Sequence, residues 1–160
     1  MRKLFGWSAL PAAALALLAP FGAAAAEPTV IELTQVACQF VESENGVDHM
    51  YKSSRKADCE AINAKTGAER LAKAAPIKLK PGKYVFRVTN KSVSYPLGFW
   101  IRDKGYDWRN PLHKLSKTSV SGGGLTRGKT LDYEVELKAG EYVYSCPLNT
   151  TPDYRLIVEG

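Results

Sequence analysis

Three cysteines, two histidines and one acidic run are the residues of this chain whose chemistry is worth weighing first. Cys38 closes "TVIELTQVAC", Cys59 lies in "KADCEAINAKTG", and Cys146 ends "GEYVYSC". His49 ends "VESENGVDH", a stretch that also holds Glu42, Glu44 and Asp48, and His113 sits in "YDWRNPLHKL". Carboxylates with one imidazole suit iron, manganese or zinc, and an added thiolate tilts the preference toward copper or zinc. A transition-metal ion is therefore the ligand to consider, with Cys146, His49, Glu42, Glu44, Asp48 and Cys38 as candidate ligands. Taken alone, an acidic run with one histidine is ordinarily a solvated loop. Catalysis has less behind it: there is no Ser/His/Asp order, no paired carboxylate on a recognisable scaffold, and no histidine near Cys146 in sequence to mark a nucleophile. The chain is not expected to be an enzyme.

Those residues act in a compartment that the N-terminus suggests. Residues 1–26 open with Arg2 and Lys3, continue as an apolar run through Leu18 and leave by "GAAAAE", the pattern of a secretory leader cut after Ala26. No cysteine stands at the cut to carry a lipid. No later segment approaches the roughly 18 apolar residues that a membrane span needs. In a bacterium this implies a periplasmic protein. Residues 27–160 are enough for one domain with a real core. The formal charge of +6 falls to +4 when Arg2 and Lys3 are removed, with acids and bases interspersed. The basic residues form no stripe with interleaved aromatics, so nucleic-acid binding is not expected.

The elements that must position these groups read mostly as strands. "TVIELTQV" alternates and is β-branched. "IKLKPGKYVFRVTN" is two alternating runs around Pro81 and Gly82, "PLGFWIRD" is a short aromatic run, and "KTLDYEVELKAGEYVYSC" repeats the two-run design around Ala139 and Gly140. Six or seven short strands indicate an all-β sandwich or small barrel. A polar insert over 41–75 interrupts them after the first strand. Its one good helix is "KADCEAINAKTG", with Asp58 as N-cap or first-turn acid, Ile62 on its apolar side and Gly67 as the stop; the rest of the insert reads as loop. The glycines of "SVSGGGLTRG" lack a following Gly-Lys-Ser/Thr and read as a flexible connection. "YDWRNPLHKL" reads as a surface loop with Tyr106 and Trp108 half-buried.

Taken together, "PGKYVFRVTN", "PLGFWI" and "LKAGEYVYSCPLNTTPDYRLIVEG" resemble the second half of a cupredoxin, the Greek-key sandwich of blue copper proteins, over about Ile77 to Val158. In that family the loop after the Asn runs Pro-His-x-Phe and the last hairpin carries Cys, His and Met. Together they supply two imidazoles and a thiolate near a trigonal plane, with a weak thioether above. This chain has Leu97 at the first His, Asn149 three residues after Cys146, and no Met after Met50. The resemblance thus implies the fold without a type 1 copper centre. A narrower likeness is to the cupredoxin-like module of Efe-type periplasmic iron-uptake proteins, which lacks the same histidines and carries one cysteine at the end of the first strand and one in a final "C-x-L-x-T-x-P" hairpin, here Cys38 and Cys146. That likeness implies a role in metal uptake, with copper or iron as ion and a periplasmic or membrane metal-transport protein as partner. The insert with Cys59 is a departure from that module.

Three cysteines in an oxidising compartment leave one unpaired within a monomer. Cys38 pairs with Cys59, closing the shorter loop at lower entropic cost, or with Cys146, stapling the pole where a cupredoxin's first strand and final hairpin meet. The first pairing leaves Cys146 as a thiol at that pole, beside Glu42, Glu44, Asp48 and His49. An immunoglobulin-like binding domain is the rival fold, since Tyr144 stands two residues before Cys146 as in a tyrosine corner. Against it, the spacing from Cys38 to Cys146 is far too long for that fold. The expectation is an all-β cupredoxin-like Greek-key sandwich with one helical insert between its first two strands, binding or delivering a transition metal. The alternatives are a metal-free sandwich that binds a protein partner and an electron carrier with unusual ligands.

Overall fold

The computed structural model describes residues 27–160, and the leader read over 1–26 lies outside the described residues. Two sheets face each other. The first has the order β2 (Gln39–Phe40), β1 (Thr29–Val36), β4 (Gly82–Asn90), β7 (Thr130–Leu137). The second runs β3 (Ile77–Leu79), β9 (Tyr154–Val158), β8 (Gly140–Ser145), β5 (Leu97–Asp103), β6 (Thr118–Leu125). Period-two patterning selects the inner face. In β7, Tyr133, Val135 and Leu137 are buried while Asp132, Glu134 and Glu136 are exposed, as a sheet with one solvated face requires. The turns at Pro81-Gly82 and Ala139-Gly140 carry the chain from one sheet to the other: β3 and β4 lie in different sheets, as do β7 and β8. Parallel pairing of β1 with β4 and of β3 with β9 completes the crossed topology. The result is a mostly β sandwich of two mixed sheets with one long helix between early strands, the fold class expected from the sequence.

The core is aromatic at its centre. Phe99 lies 5.4 Å from Phe86, 5.2 Å from Tyr133 and 5.9 Å from Phe40, ring centre to ring centre, and Phe40 meets Tyr144 edge-on at 5.7 Å. These spacings are those at which aromatic quadrupoles attract.

Three local readings are corrected. The insert helix α1 spans Lys56–Lys73 and runs through Gly67 instead of stopping there. Arg55 is its N-cap, and Asp58 reaches back to the amides of Ser54 and Arg55. The glycine in mid-helix costs about 1 kcal/mol relative to alanine, and the anchoring of Arg70 beyond it, described below, offsets that. The glycine run is part of β6, not a flexible connection: a Cβ on Gly98 of β5 would sit 2.5 Å from the Gly122 carbonyl oxygen, and one on Gly122 would sit 2.8 Å from the Tyr133 ring. Glycine is used there for close approach, not for looseness. The segment after β5 contains a short helix, α2 (Pro111–Ser116), and Trp108 beside it is 76 % exposed, not half-buried. No helix among the described residues is long and apolar enough to cross a membrane.

Candidate functional site

Cys146 follows β8 at one pole of the sandwich and is fully buried. Its Sγ accepts the amides of Gly98 at 3.4 Å and Asn149 at 3.2 Å. Its own amide donates to Thr151 Oγ1 at 2.9 Å and its carbonyl accepts the Thr151 amide at 3.2 Å, so the turn is closed on itself. Burial pushes the thiol's pKa up, against the opposing pull of the amides of Gly98, Asn149 and Leu148. A buried, protonated thiol is a poor nucleophile.

The positions that would complete a copper site do not fit one. Leu97 is fully buried and has no lone pair to offer. Asn149 is fully buried, and its amide is engaged at both ends. Its Nδ2 donates to the Val36 carbonyl at 2.7 Å, and its Oδ1 accepts the Cys38 amide at 2.9 Å and the Tyr95 hydroxyl at 3.3 Å. The residues present therefore do not hold a type 1 copper ion.

Helix α1 closes over this pole. A Cys38–Cys59 disulfide, with Cα atoms 5.0 Å apart, ties its first turns to the corner after β1. Cys38 thereby leaves the set of candidate ligands, because a disulfide sulfur offers no thiolate. Further along the helix, Asn63 donates to the Thr150 carbonyl of the last turn, and Arg70 donates through Nη2 to the Cys38 carbonyl at 2.9 Å. Cys59, Asn63, Thr66 and Arg70 stand at i, i+4, i+7 and i+11, one face of a helix. That spacing was present in the sequence but is hidden by a stop at Gly67.

Beside this face Glu44 and Arg70 form a buried ion pair, Arg70 Nη2 to Glu44 Oε1 at 2.7 Å, each side chain about one-twentieth exposed. The Glu44 carboxylate also accepts the Tyr154 hydroxyl and contacts His49 Nε2 at 2.6 Å. Burial would raise its pKa, but the hydrogen bonds from Arg70 and Tyr154 outweigh that and hold it below the ordinary glutamate value. Arg70 is satisfied in turn by Asn63 Oδ1 at 2.6 Å and lies over the Tyr51 ring, which stacks on His49. Glu44, His49, Tyr51, Thr66 and Arg70 line a pocket of about 320 Å³.

The six candidate ligands thus part company. Glu44 and His49 touch each other, while Cys146 is sealed behind the amides described above. Glu42 Oε2 accepts the Thr34 amide at 2.6 Å and Asp48 Oδ1 accepts the Met50 amide at 2.8 Å, so these two acids close local backbone turns. Among the described residues, no group of three or more His, Cys, Asp or Glu is placed to hold a metal ion. His113 lies in α2, where its Nδ1 accepts the Asp107 amide at 2.9 Å. Sequence reasoning missed Arg70 and Tyr154, whose partner Glu44 is 26 and 110 residues away.

No protein-family model and no curated protein sequence matches the chain. The solved structures similar in shape include the following two. Auracyanin A, a blue copper protein from the green thermophilic photosynthetic bacterium Chloroflexus aurantiacus, aligns at 14% identity over 82% of this chain and 99% of its own, with a TM-score of 0.45. A laccase from Pediococcus acidilactici aligns at 12% identity over 86% of this chain and 28% of its own, with a TM-score of 0.41.

Proposed function

We propose that this chain is an exported, metal-free binding module: a cupredoxin-like sandwich that works through its protein surface and not through a bound ion. The observation that carries the reading is Asn149, whose Nδ2 is bonded to Val36 and whose Oδ1 accepts from both Cys38 and Tyr95, at the position where the cupredoxin resemblance expects an imidazole. Burying a polar side chain with partners is what a structural tie requires, and the two bonds on Oδ1 leave it no lone pair for an incoming ion. The test is metal titration followed by thermal unfolding and visible absorption. An ion that binds only the native state at a hundredfold excess over its Kd raises stability by about 2.7 kcal/mol. Copper, zinc and ferrous iron are expected to leave the midpoint unshifted, and Cu(II) to raise no intense band at about 600 nm. A shift with any of them overturns the reading.

The second reading is metal binding or delivery, with copper or iron and a periplasmic or membrane transport partner, as the likeness to the Efe-type module implies. The touching pair Glu44 and His49 on the pocket wall favours it. Against it stands Arg70, whose guanidinium already neutralises that carboxylate and repels a second cation. If a metal does shift the midpoint and His49→Ala removes the shift, this second reading is the right one. An electron carrier with unusual ligands requires a bound copper that can be reduced and reoxidised.

A further inference from the structure

The three most exposed large apolar side chains among the described residues are Leu115 at 84 %, Trp108 at 76 % and Leu112 at 68 %, all within eight residues of one another in sequence. Scattered exposed hydrophobics are normal, but a cluster is not. This one is built rather than loose. Pro111 opens α2, Asn110 Oδ1 caps it by accepting the Leu112 amide at 3.0 Å, and the Asp107 amide is held by His113. At its root Tyr106 packs edge-on against Trp100 at 4.9 Å, and the Arg102 guanidinium lies 4.2 Å from the centre of the Trp100 ring, paired to Asp153 at 2.5 Å. None of the six residues of α2 is buried, so the helix stands off the sandwich. Leu112 and Leu115 are three apart and share a face.

Cations are interleaved with these apolar groups. From 104 to 117 the chain carries Lys104, Arg109, Lys114 and Lys117 against the single acid Asp107, whose Oδ1 accepts the Arg109 amide at 2.9 Å. Lys104 is paired with Glu141, whereas Arg109, Lys114 and Lys117 have no carboxylate partner among the described residues. The Arg109 guanidinium sits 5.3 Å from the centre of the Trp108 ring, which puts a cation and an indole at one level.

We infer that the segment 104–117 docks this protein on an anionic membrane surface, Trp108, Leu112 and Leu115 entering the headgroup boundary while Arg109, Lys114 and Lys117 meet lipid phosphates. Indole and short aliphatic side chains flanked by cations are the composition that partitions into that boundary, and charge complementarity selects anionic over zwitterionic lipid. A protein partner is the lesser fit, because the core of a protein interface is depleted of the charged side chains that are interleaved here. The inference stands whether or not the opposite features of the molecule bind metal.

The experiment is co-sedimentation with phosphatidylcholine vesicles and with vesicles containing phosphatidylglycerol, at low and high salt. The wild-type chain is compared with Trp108→Ala/Leu112→Ser/Leu115→Ser and with Arg109→Glu/Lys114→Glu in the same background, so that any contribution of residues 1–26 cancels. The altered side chains are exposed, and matched thermal midpoints confirm that both variants are folded. The wild-type partition into anionic vesicles is expected to exceed that of either variant by about tenfold and to fall with salt. Equal partition of wild type and both variants overturns the inference. So does binding to both vesicle types with no preference for anionic lipid.

Discussion

Asn149 of the last turn and Val36 of β1 are joined by a hydrogen bond of 2.7 Å across 113 residues of sequence. The amide that makes it also takes the Cys38 N–H. One side chain therefore fastens the final hairpin to the corner after the first strand. The disulfide from Cys38 to Cys59 and the Arg70 guanidinium on the Cys38 carbonyl hold the insert helix over the same corner. Asn149 and the insert helix thus act as structural ties at one corner.

Installing two imidazoles tests whether these positions can take a metal. In Leu97→His/Asn149→His, the bonds of the Asn149 amide are lost and a second polar ring enters the core position of Leu97. A loss of about 2–4 kcal/mol is expected from unsatisfied buried partners, read as a lower urea midpoint. No blue copper band should appear at neutral pH, because the Cys146 thiol stays buried and protonated and α1 blocks the pole. An intense blue band in a folded double variant would show that the pole is still a copper site in outline.

Cysteine chemistry gives a second check. Peptide mapping without reduction should recover Cys38 joined to Cys59 and Cys146 alone. Burial keeps the Cys146 thiol out of reach and its pKa raised, so alkylation should be slow in the native protein and rapid in denaturant. Replacing both Cys38 and Cys59 by serine removes a constraint on a loop of 21 residues' separation and should cost about 3 kcal/mol. Fast native alkylation of Cys146 would mean that the pole opens.

The sandwich was legible because period-two patterning is local: Tyr133, Val135 and Leu137 face inward whatever lies elsewhere in the chain. The bridge between Cys38 and Cys59 was the shorter of two closures, and loop entropy favours it. The extent of α1 was not legible, since Gly67 is a stop signal in isolation and is overruled only by Arg70 reaching Glu44 and Cys38. The fate of the acidic run was hidden for the same reason. Whether Glu44 binds a metal or a guanidinium depends on Arg70 and Tyr154, and no local pattern reports partners so far away. Trp108 read as half-buried because aromatics usually are; the helix beside it, which turns the segment outward, is too short to leave a period.

The pair of Glu44 and Arg70 sets an acid limit on stability. The Glu44 pKa is lowered in the folded protein, chiefly by the hydrogen bonds from Arg70 and Tyr154 overcoming burial. A carboxylate with a lowered folded pKa contributes stability above its unfolded value and loses it as the pH falls through that value toward the folded one. Unfolding free energy should therefore be flat from neutral pH to about pH 5 and then fall. Arg70→Ala, which strands a buried carboxylate, should cost about 3–5 kcal/mol at neutral pH. In Arg70→Ala the acid-side slope should shrink or reverse, because the stranded Glu44 then gains by taking up a proton. An unchanged pH profile would mean that other carboxylates set the limit.

The glycines of β5 and β6 separate close packing from flexibility. Gly98 faces the Gly122 carbonyl oxygen, and a methyl group there would lie 2.5 Å from that atom, which is backbone and cannot swing aside. Gly98→Ala must therefore part the two strands, and because the Gly98 amide also donates to Cys146 Sγ, the same shift weakens the pole. Gly122→Ala would meet the Tyr133 ring at 2.8 Å, a core side chain that is itself only 7 % exposed, so it too has little room to yield. Gly123 is the internal control: its nearest contact would be the Leu97 carbonyl at 4.0 Å, ordinary van der Waals distance. Gly98→Ala and Gly122→Ala are each expected to cost about 1–3 kcal/mol by overpacking, and Gly123→Ala to cost less than either. Chemical denaturation of the three variants decides the matter. Equal small losses at all three positions would return the run to a flexible connection, while the expected order ties the glycines to the strand that supports Cys146.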